Sequence, residues 1–155
     1  MKRSDNRMLK FLGVLAFSLF AFGVAQDMGV SVELAESSEY GQYVVDQDGM
    51  ALYMFVPDAQ GPSTCYDDCA TNWPPVTVDS ADAVPTAGAG LDAALFGTVE
   101  RDDGTFQVTY NGWPLYYYGG DMEAGMATGQ GLGDNWYVLD PMGEPIGMAA
   151  AGDGG

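Results

Sequence analysis

The cysteine pair Cys65 and Cys69 carries the most readily stated chemistry in this sequence. On a regular helix, residues four apart lie on one face with Cα atoms about 6 Å apart, near the upper limit that a disulfide spans. One interpretation is therefore a disulfide that distorts the turn slightly. The other is a redox or soft-metal site, in which the two thiolates hold Cu(I). Asp67 and Asp68 lie between the cysteines and disfavour a reactive thiolate.

Two aspartates, Asp58 and Asp121, each close one copy of the pattern Tyr-x-aromatic-x-x-Asp. The first copy is Tyr53, Phe55 and Asp58, and the second is Tyr116, Tyr118 and Asp121. In one interpretation each carboxylate accepts backbone N–H groups at a strand end and fixes the following loop. In the other, each aspartate binds a metal such as Ca²⁺ or a substrate.

Histidine is absent from the sequence, and its absence removes several classes of enzyme. Ser-His-Asp and Cys-His sites, HExxH metal sites and the commonest transition-metal ligand all require it. Paired carboxylates can still hydrolyse glycosides, but nothing marks out one pair among the 22 acidic residues. We therefore predict a protein that is not an enzyme and has no cofactor, with a Ca or Cu ion as the alternative.

The net charge of the chain limits the classes of molecule that it can bind. Five basic residues face 22 acidic ones, the formal net charge is −17, and Arg101 is the only basic residue after Lys10. Such a chain cannot neutralise phosphates, so we predict no nucleic-acid partner and no adhesion to anionic membranes. The acids fall in predicted turns and loops, which indicates a solvated polyanionic surface. Cations or cell-envelope components are the partners that this surface suits, and the sequence does not identify a protein partner.

The first 25 residues have the pattern of a secretory signal peptide. Residues 1–10 are basic and polar, and Phe11–Ala25 are almost entirely apolar and end in small residues. Fifteen apolar residues are short of the about 20 that a membrane span needs, although an uncleaved anchor is the alternative. Cleavage after Ala25 removes four of the five basic residues. It leaves an exported chain with no transmembrane span and no cysteine for lipid attachment, and it places Cys65 and Cys69 in an oxidising compartment.

The elements that position these residues come from an internal duplication. Residues 41–58 align with residues 104–121 at an offset of 63 without gaps, and Asn72-Trp73 aligns with Asn135-Trp136 at the same offset. The duplicated unit therefore covers about 41–76 and 104–139. Within 41–58 and 104–121 six residues are identical, namely Gly41, Val45, Gly49, Leu52, Tyr53 and Asp58 with Gly104, Val108, Gly112, Leu115, Tyr116 and Asp121.

Each unit has the pattern of a β-hairpin. Asp48-Gly49 and Asn111-Gly112 are dipeptides that favour a type I′ turn, and the flanking residues alternate with period two. Residues 137–143 resemble 43–49 and predict a partial third copy. We expect one small, mainly β domain of antiparallel hairpins with one or two short helices, at Ser63–Ala70 and Leu91–Phe96. Thr64 is the expected N-cap of the first helix.

The remaining segments complete the predicted organisation. Residues 26–38 are expected to be a flexible leader, 39–146 the duplicated domain and 147–155 a disordered tail. The aromatic side chains of the domain are consistent with a core, and the alternative is a platform on which sugars stack.

The repeated Tyr-x-aromatic-x-x-Asp motif resembles a known bacterial family when it is taken with Trp73-Pro74-Pro75 and the segment 110–115. This is the secreted-repeat or predicted-lipoprotein family with the Yx(F/W/Y)xxD motif, and the resemblance covers about residues 40–142. It implies export and a function that is unknown. Many members resemble lipoproteins, whereas this chain lacks the lipid-attachment cysteine.

The sequence thus predicts an exported, highly acidic protein of the cell envelope or extracellular medium with a binding or structural role. The alternative is an exported redox or Cu-handling protein that uses Cys65 and Cys69.

Overall fold

A computed structural model describes residues 29–149. Its elements are short, and most of them are strands. The strands are β1 (Ser31–Ser37), β2 (Gly41–Asp46), β3 (Tyr53–Phe55), β4 (Thr77–Val78), β5 (Thr86–Ala87), β6 (Phe96–Glu100), β7 (Phe106–Tyr110), β8 (Trp113–Pro114) and β9 (Trp136–Val138). One α-helix, α1 (Asp68–Asn72), and 3₁₀ turns at Val56–Asp58, Ala93–Leu95 and Leu132–Asp134 complete the described elements. The predicted mainly β, antiparallel fold class is confirmed.

Three small sheets hold the strands together. Their strand orders are β2-β1-β5, β3-β9 and β4-β7-β6, and β8 also pairs with β7. Tyr53 in β3 and Tyr116 exchange backbone hydrogen bonds of 2.8 and 2.9 Å. Because these two tyrosines occupy equivalent positions in the two repeats, an approximate two-fold axis passes between them. The repeats therefore face each other, and their buried residues pack together in two hydrophobic clusters.

The flexible leader expected over residues 26–38 is wrong for β1. Ser31–Ser37 pairs antiparallel with β2, with Val32 opposite Asp46 and Ser37 opposite Gly41. The physical reason is visible in the alternation at the start of this segment, because Val32 is buried and Leu34 packs against the core, while Glu33 between them is exposed. Residues 26–28 lie outside the described residues, as does the predicted signal peptide.

The turn at Asp48-Gly49 differs from the predicted type I′ turn. Gly49 has a φ of 85°, but Asp48 is not among the residues of positive φ. Gly49 N donates to Asp46 O at 2.9 Å, and Asp46 Oδ1 accepts from the N–H groups of Asp48 and Met50 at 2.8 and 3.0 Å. The loop is therefore one residue longer than a type I′ hairpin loop, and only its glycine is left-handed. The side chain of Asp46 holds the turn closed.

The turn at Asn111-Gly112 agrees with the prediction. Asn111 and Gly112 have φ values of 52° and 82°, and they join Tyr110 of β7 to its partner Trp113 of β8. Positive φ at both central residues is the property of a type I′ turn. The Asn111 amide also donates to Gly143 O at 3.0 Å, which ties this turn to the next hairpin.

The partial third copy is present as well. Gly143 N donates to Asp140 O at 2.9 Å, and Asp140 Oδ1 accepts from Met142 N and Glu144 N at 2.8 and 3.0 Å. Asp140 thus repeats the role of Asp46 in the first turn. The same loop conformation is used twice because an aspartate and a glycine are spaced three apart in both segments.

The two predicted helices are shorter than expected. Only Asp68–Asn72 is α-helical in the first, and a 3₁₀ turn at Ala93–Leu95 replaces the second. The Asp92 side chain caps that 3₁₀ turn through Ala94 N at 2.9 Å. Thr64 caps no helix, because its side chain is bound elsewhere. In the predicted tail, Met148 packs against the core, and residues 150–155 lie outside the described part of the chain.

Candidate functional site

The two motif copies exchange hydrogen bonds across the approximate two-fold axis. Tyr53 Oη donates to Asp121 Oδ2 at 2.6 Å, and Tyr116 Oη donates to Asp58 Oδ2 at 2.8 Å. All four side chains are buried. Each repeat therefore supplies one donor and one acceptor to the other repeat.

The second oxygen of each aspartate organises the loop that follows it. Asp58 Oδ1 accepts from Thr64 N at 2.8 Å and from Thr64 Oγ1 at 2.7 Å. Asp121 Oδ1 accepts from Thr128 N at 2.8 Å and from Thr128 Oγ1 at 2.6 Å. Three donors of the protein therefore surround each carboxylate, which is the arrangement expected of a loop-fixing aspartate. A cation bound there would have to displace these donors.

Thr64 and Thr128 are site residues that the sequence reasoning missed. Thr64 follows its aspartate by six positions and Thr128 by seven, so an alignment without gaps does not superimpose them. Both copies have a threonine shortly after the motif aspartate. An alignment that allows a one-residue insertion in the second copy superimposes these two threonines and could have identified them.

Burial perturbs the ionisation of this network. Burial, followed by the negative charge of Asp58, raises the pKa of Tyr116 to about 12. The pKa of Tyr53 is also raised, first by burial and then by its hydrogen bond to Asp121. Burial raises the pKa of Asp58 more than the donors Thr64 and Tyr116 lower it. Both tyrosines therefore stay protonated and act as donors at physiological pH.

A stack of four aromatic rings lies beside the tyrosines. Trp73 and Trp136 are parallel within 2°, with centroids 3.7 Å apart. Phe55 stacks on Trp136 at 4.1 Å and Tyr118 stacks on Trp73 at 4.2 Å. The tryptophans are only 7% and 6% exposed, and both of their faces are covered by other rings. They act as core, since their faces cannot receive a sugar.

A shallow cleft of about 310 Å³ opens at the edges of this stack. Its lining has no charged side chain and consists of Asn72, Trp73, Tyr118, Leu132, Gly133, Asn135 and Trp136. Asn72 and Asn135 are equivalent residues of the two repeats. The cleft offers amide groups and apolar ring edges, which suit a small uncharged ligand.

Cys65 and Cys69 form a disulfide, with an S–S length of 2.04 Å and a Cα–Cα distance of 5.3 Å. The pair does not lie on one helix, because Cys65 precedes α1 while Cys69 belongs to it. Asp67 has a φ of 56°, so the chain reverses between the two cysteines. Cys65 is buried and Cys69 is half-buried.

Arg101 is a further residue whose structural role the sequence did not predict. It is 3% exposed, and its Nη2 donates to Cys65 O at 2.7 Å. Nη1 donates to Gln107 Oε1 at 2.9 Å, and the Ser63 hydroxyl donates to the same oxygen. The guanidinium group lies 4.2 Å from the centre of the Tyr66 ring. The sequence signal was a single cation in an otherwise anionic domain.

Comparison with known protein families shows which family the chain belongs to. The profile of Lipoprotein_15, a secreted repeat of unknown function, matches residues 35–77 and 97–140. These matches cover more than half of the chain and coincide with the duplicated units. The chain belongs to this family of secreted repeats. The expected resemblance is thus confirmed, and membership indicates an exported protein.

In this secreted-repeat protein the family motif maps onto the Tyr–Asp exchange and the ring stack. Searches of curated proteins and of solved structures found no match. Within residues 29–149, no helix is long and apolar enough to cross a membrane. In the same part of the chain, no three His, Cys, Asp or Glu side chains cluster in a way that could hold a metal ion.

Proposed function

We propose that this secreted-repeat protein is a non-enzymatic domain of the cell envelope or extracellular medium, with a structural or binding role and without a lipid anchor. The observation that carries the proposal is the Tyr–Asp exchange. The motif side chains, which would be the natural choice for catalysis, instead hold the two repeats together through bonds of 2.6 and 2.8 Å. Their polar atoms are turned inward, so the outer surface performs the function.

That outer surface is strongly acidic. Most of the described acidic residues are exposed, and only Asp46, Asp58 and Asp121 are buried. Cations or basic components of the envelope are therefore the partners that the surface as a whole favours. The cleft beside Asn72 and Asn135 has no charged side chain in its lining, and it supports a second contact with an uncharged group.

The alternative function is an exported redox or Cu-handling protein. The observation that favours it is the closeness of Cys65 and Cys69, together with the partial exposure of Cys69. Reduction of the bond would release two thiols beside Arg101, and a cation stabilises a thiolate.

One measurement separates the two functions. The protein is purified from its native compartment without reducing agent, and its metal content and free thiols are determined. We expect a closed disulfide and no stoichiometric metal, and the same result for a Met122→Leu control in which one exposed sulfur is removed. Copper that is recovered with the native protein and lost from a Cys65→Ser variant would instead establish the alternative.

A further inference from the structure

A chain of buried polar groups runs between the two repeats. Tyr116 donates to Asp58 at 2.8 Å. Burial raises the pKa of Tyr116, and the neighbouring Ser63 side chain opposes that rise. The Ser63 hydroxyl also contacts Gln107 Oε1, to which Arg101 Nη1 donates at 2.9 Å. The Ser63 hydroxyl thus lies between a proton acceptor, the Tyr116–Asp58 pair, and the side-chain carbonyl of Gln107. The guanidinium group of Arg101 polarises that carbonyl. Ser63 is 6% exposed and Gln107 is 0% exposed.

The equivalent positions in the duplicated unit show that the fold does not require these polar groups. At the offset of 63, Val44 is the equivalent of Gln107. Ala127 is the equivalent of Ser63, because it precedes Thr128 as Ser63 precedes Thr64. The same architecture is therefore built from apolar residues on the other side of the two-fold axis. A buried serine and glutamine carry a desolvation cost that valine and alanine avoid, which points to a chemical use.

We propose that Ser63 and Gln107 form an intramolecular ester cross-link. Ser63 Oγ attacks Cδ of Gln107, and a bond forms between these two atoms. The hydroxyl proton passes to Tyr116 while the Tyr116 proton passes to Asp58. The Cδ–Nε2 bond then breaks, Nε2 takes up one proton in place of the one that Ser63 released, and ammonia departs. No oxidant or other reactant is consumed.

The neighbouring groups fit the needs of this reaction. Arg101 Nη1 faces the oxygen on which negative charge develops, as the donors of an oxyanion hole do. Gln107 Nε2 donates to Leu115 O at 2.6 Å, which fixes the orientation of the amide. Burial raises the pKa of Asp58 and makes its carboxylate a stronger proton acceptor than an exposed aspartate. Tyr116 is the general base that contacts the nucleophile, and Asp58 acts through it.

Burial also protects the product. Ester bonds hydrolyse in water, and both partners here are shielded from it. The cross-link would join the loop after the first motif to strand β7, and so would tie one repeat to the other covalently. A protein exposed to the extracellular medium gains kinetic stability from such a bond.

The test is a peptide map of the full-length protein purified from its native compartment. After reduction of the disulfide and digestion, we expect one branched peptide that contains both Ser63 and Gln107. Its mass should be lower than the sum of its two parts by one ammonia, about 17 Da. Mild alkaline hydrolysis should separate the branches, since it cleaves esters under conditions that leave peptide bonds intact.

The map is required because intact mass alone is ambiguous. Cyclisation of a mature N-terminal Gln26, or of Asn111 beside Gly112, also releases ammonia. Ser63→Ala is the matched variant, since the equivalent Ala127 shows that alanine is compatible with the fold. It should lose the branched peptide and keep any ammonia loss at Gln26. Wild-type protein that yields only separate, unmodified Ser63 and Gln107 peptides would overturn the proposal, and would leave Gln107 as a hydrogen-bonded anchor for Arg101.

Discussion

Tyr53 and Tyr116 each place a single hydroxyl on an aspartate of the opposite repeat. A hydrogen bond to a charged partner contributes about 1.5–3 kcal/mol. We expect Tyr53→Phe and Tyr116→Phe each to lower the free energy of unfolding by that amount, because each leaves a buried carboxylate without one donor. Urea denaturation measures the change.

The control for these two variants is Tyr118→Phe. Tyr118 is the equivalent of Phe55, so the structure already accepts a phenyl ring at that position. We expect a change within about 0.5 kcal/mol, as for substitutions that disturb no special feature. If all three variants lost the same free energy of unfolding, the hydrogen bonds from Tyr53 and Tyr116 to the aspartates would not be a specific source of stability.

The titration of Asp58 gives a prediction about pH. Burial raises its pKa in the folded protein, so the folded state holds the proton more tightly than the unfolded state, whose pKa is about 3.9. The associated stability is present below pH of about 4 and is lost as the pH rises through the folded pKa. The stability of wild type relative to Asp58→Asn should therefore fall between about pH 3 and pH 7.

Asp82→Asn, at an exposed site, is the control for that pH series, and its difference from wild type should stay flat. If the wild-type advantage over Asp58→Asn instead grew with pH, the hydrogen bonds from Thr64 and Tyr116 would outweigh burial at this carboxylate.

At the scale of elements, the two hairpins close by different means. Asn111-Gly112 uses two residues of positive φ, whereas the first turn uses one glycine and the side chain of Asp46. Gly112→Val should destabilise the protein by about 1–3 kcal/mol, because a β-branched residue is strained at positive φ. A Cβ at Gly112 would also lie 3.3 Å from Gln60 Cβ.

Gln42→Val, at an exposed position of strand β2, serves as the comparison for Gly112→Val. Valine is favoured in strands, so this variant should be nearly neutral. If the two variants had the same melting temperature, the Asn111-Gly112 turn would tolerate a side chain at its second position.

The disulfide is an element of its own, because it closes a loop with a sequence separation of only four. A loop this short restricts the unfolded chain little, and loop-closure entropy predicts about 2 kcal/mol of stabilisation. The double variant Cys65→Ala and Cys69→Ala should lose about that amount and remain folded. The second repeat, which lacks cysteines, supports this expectation. Complete unfolding of the double variant at room temperature would mean that the disulfide contributes much more to stability than loop-closure entropy predicts.

At the scale of the whole molecule, charge is the dominant feature. The formal net charge is −17, and Arg101, the only cation in the described part, is buried. Exposed like charges repel in the compact state, and salt screens them over about 10 Å at 0.1 M. We expect the melting temperature to rise with NaCl concentration.

A variant with fewer exposed acids tests the cause of that rise. Glu36→Lys, Asp82→Lys and Glu123→Lys combined should reduce the dependence of the melting temperature on salt, since all three positions are exposed. A salt dependence that is unchanged in the triple variant would assign the effect to something other than surface repulsion.

Much of the architecture could be predicted because its signals are local. The duplication, the hairpin at Asn111-Gly112 and the third copy at residues 137–143 all follow from turn residues and period-two alternation. The errors also have local causes. Strand β1 is mistaken for a leader because a short segment becomes a strand through pairing, and its partners β2 and β5 come later in the chain. The first turn was assigned the wrong type because the dipeptide alone does not reveal the contribution of Asp46.

The sequence by itself determined that this is an exported, acidic, duplicated β protein with a cysteine pair, because composition and repeats are properties of the chain. Only the tertiary structure decided what the marked residues do. Tyr53 and Asp121 are 68 positions apart, and Tyr116 and Asp58 are 58 apart. The burial of Arg101 against Gln107 likewise depends on the packing of the two repeats. No local pattern encodes such contacts, since they form only when the repeats meet about their two-fold axis.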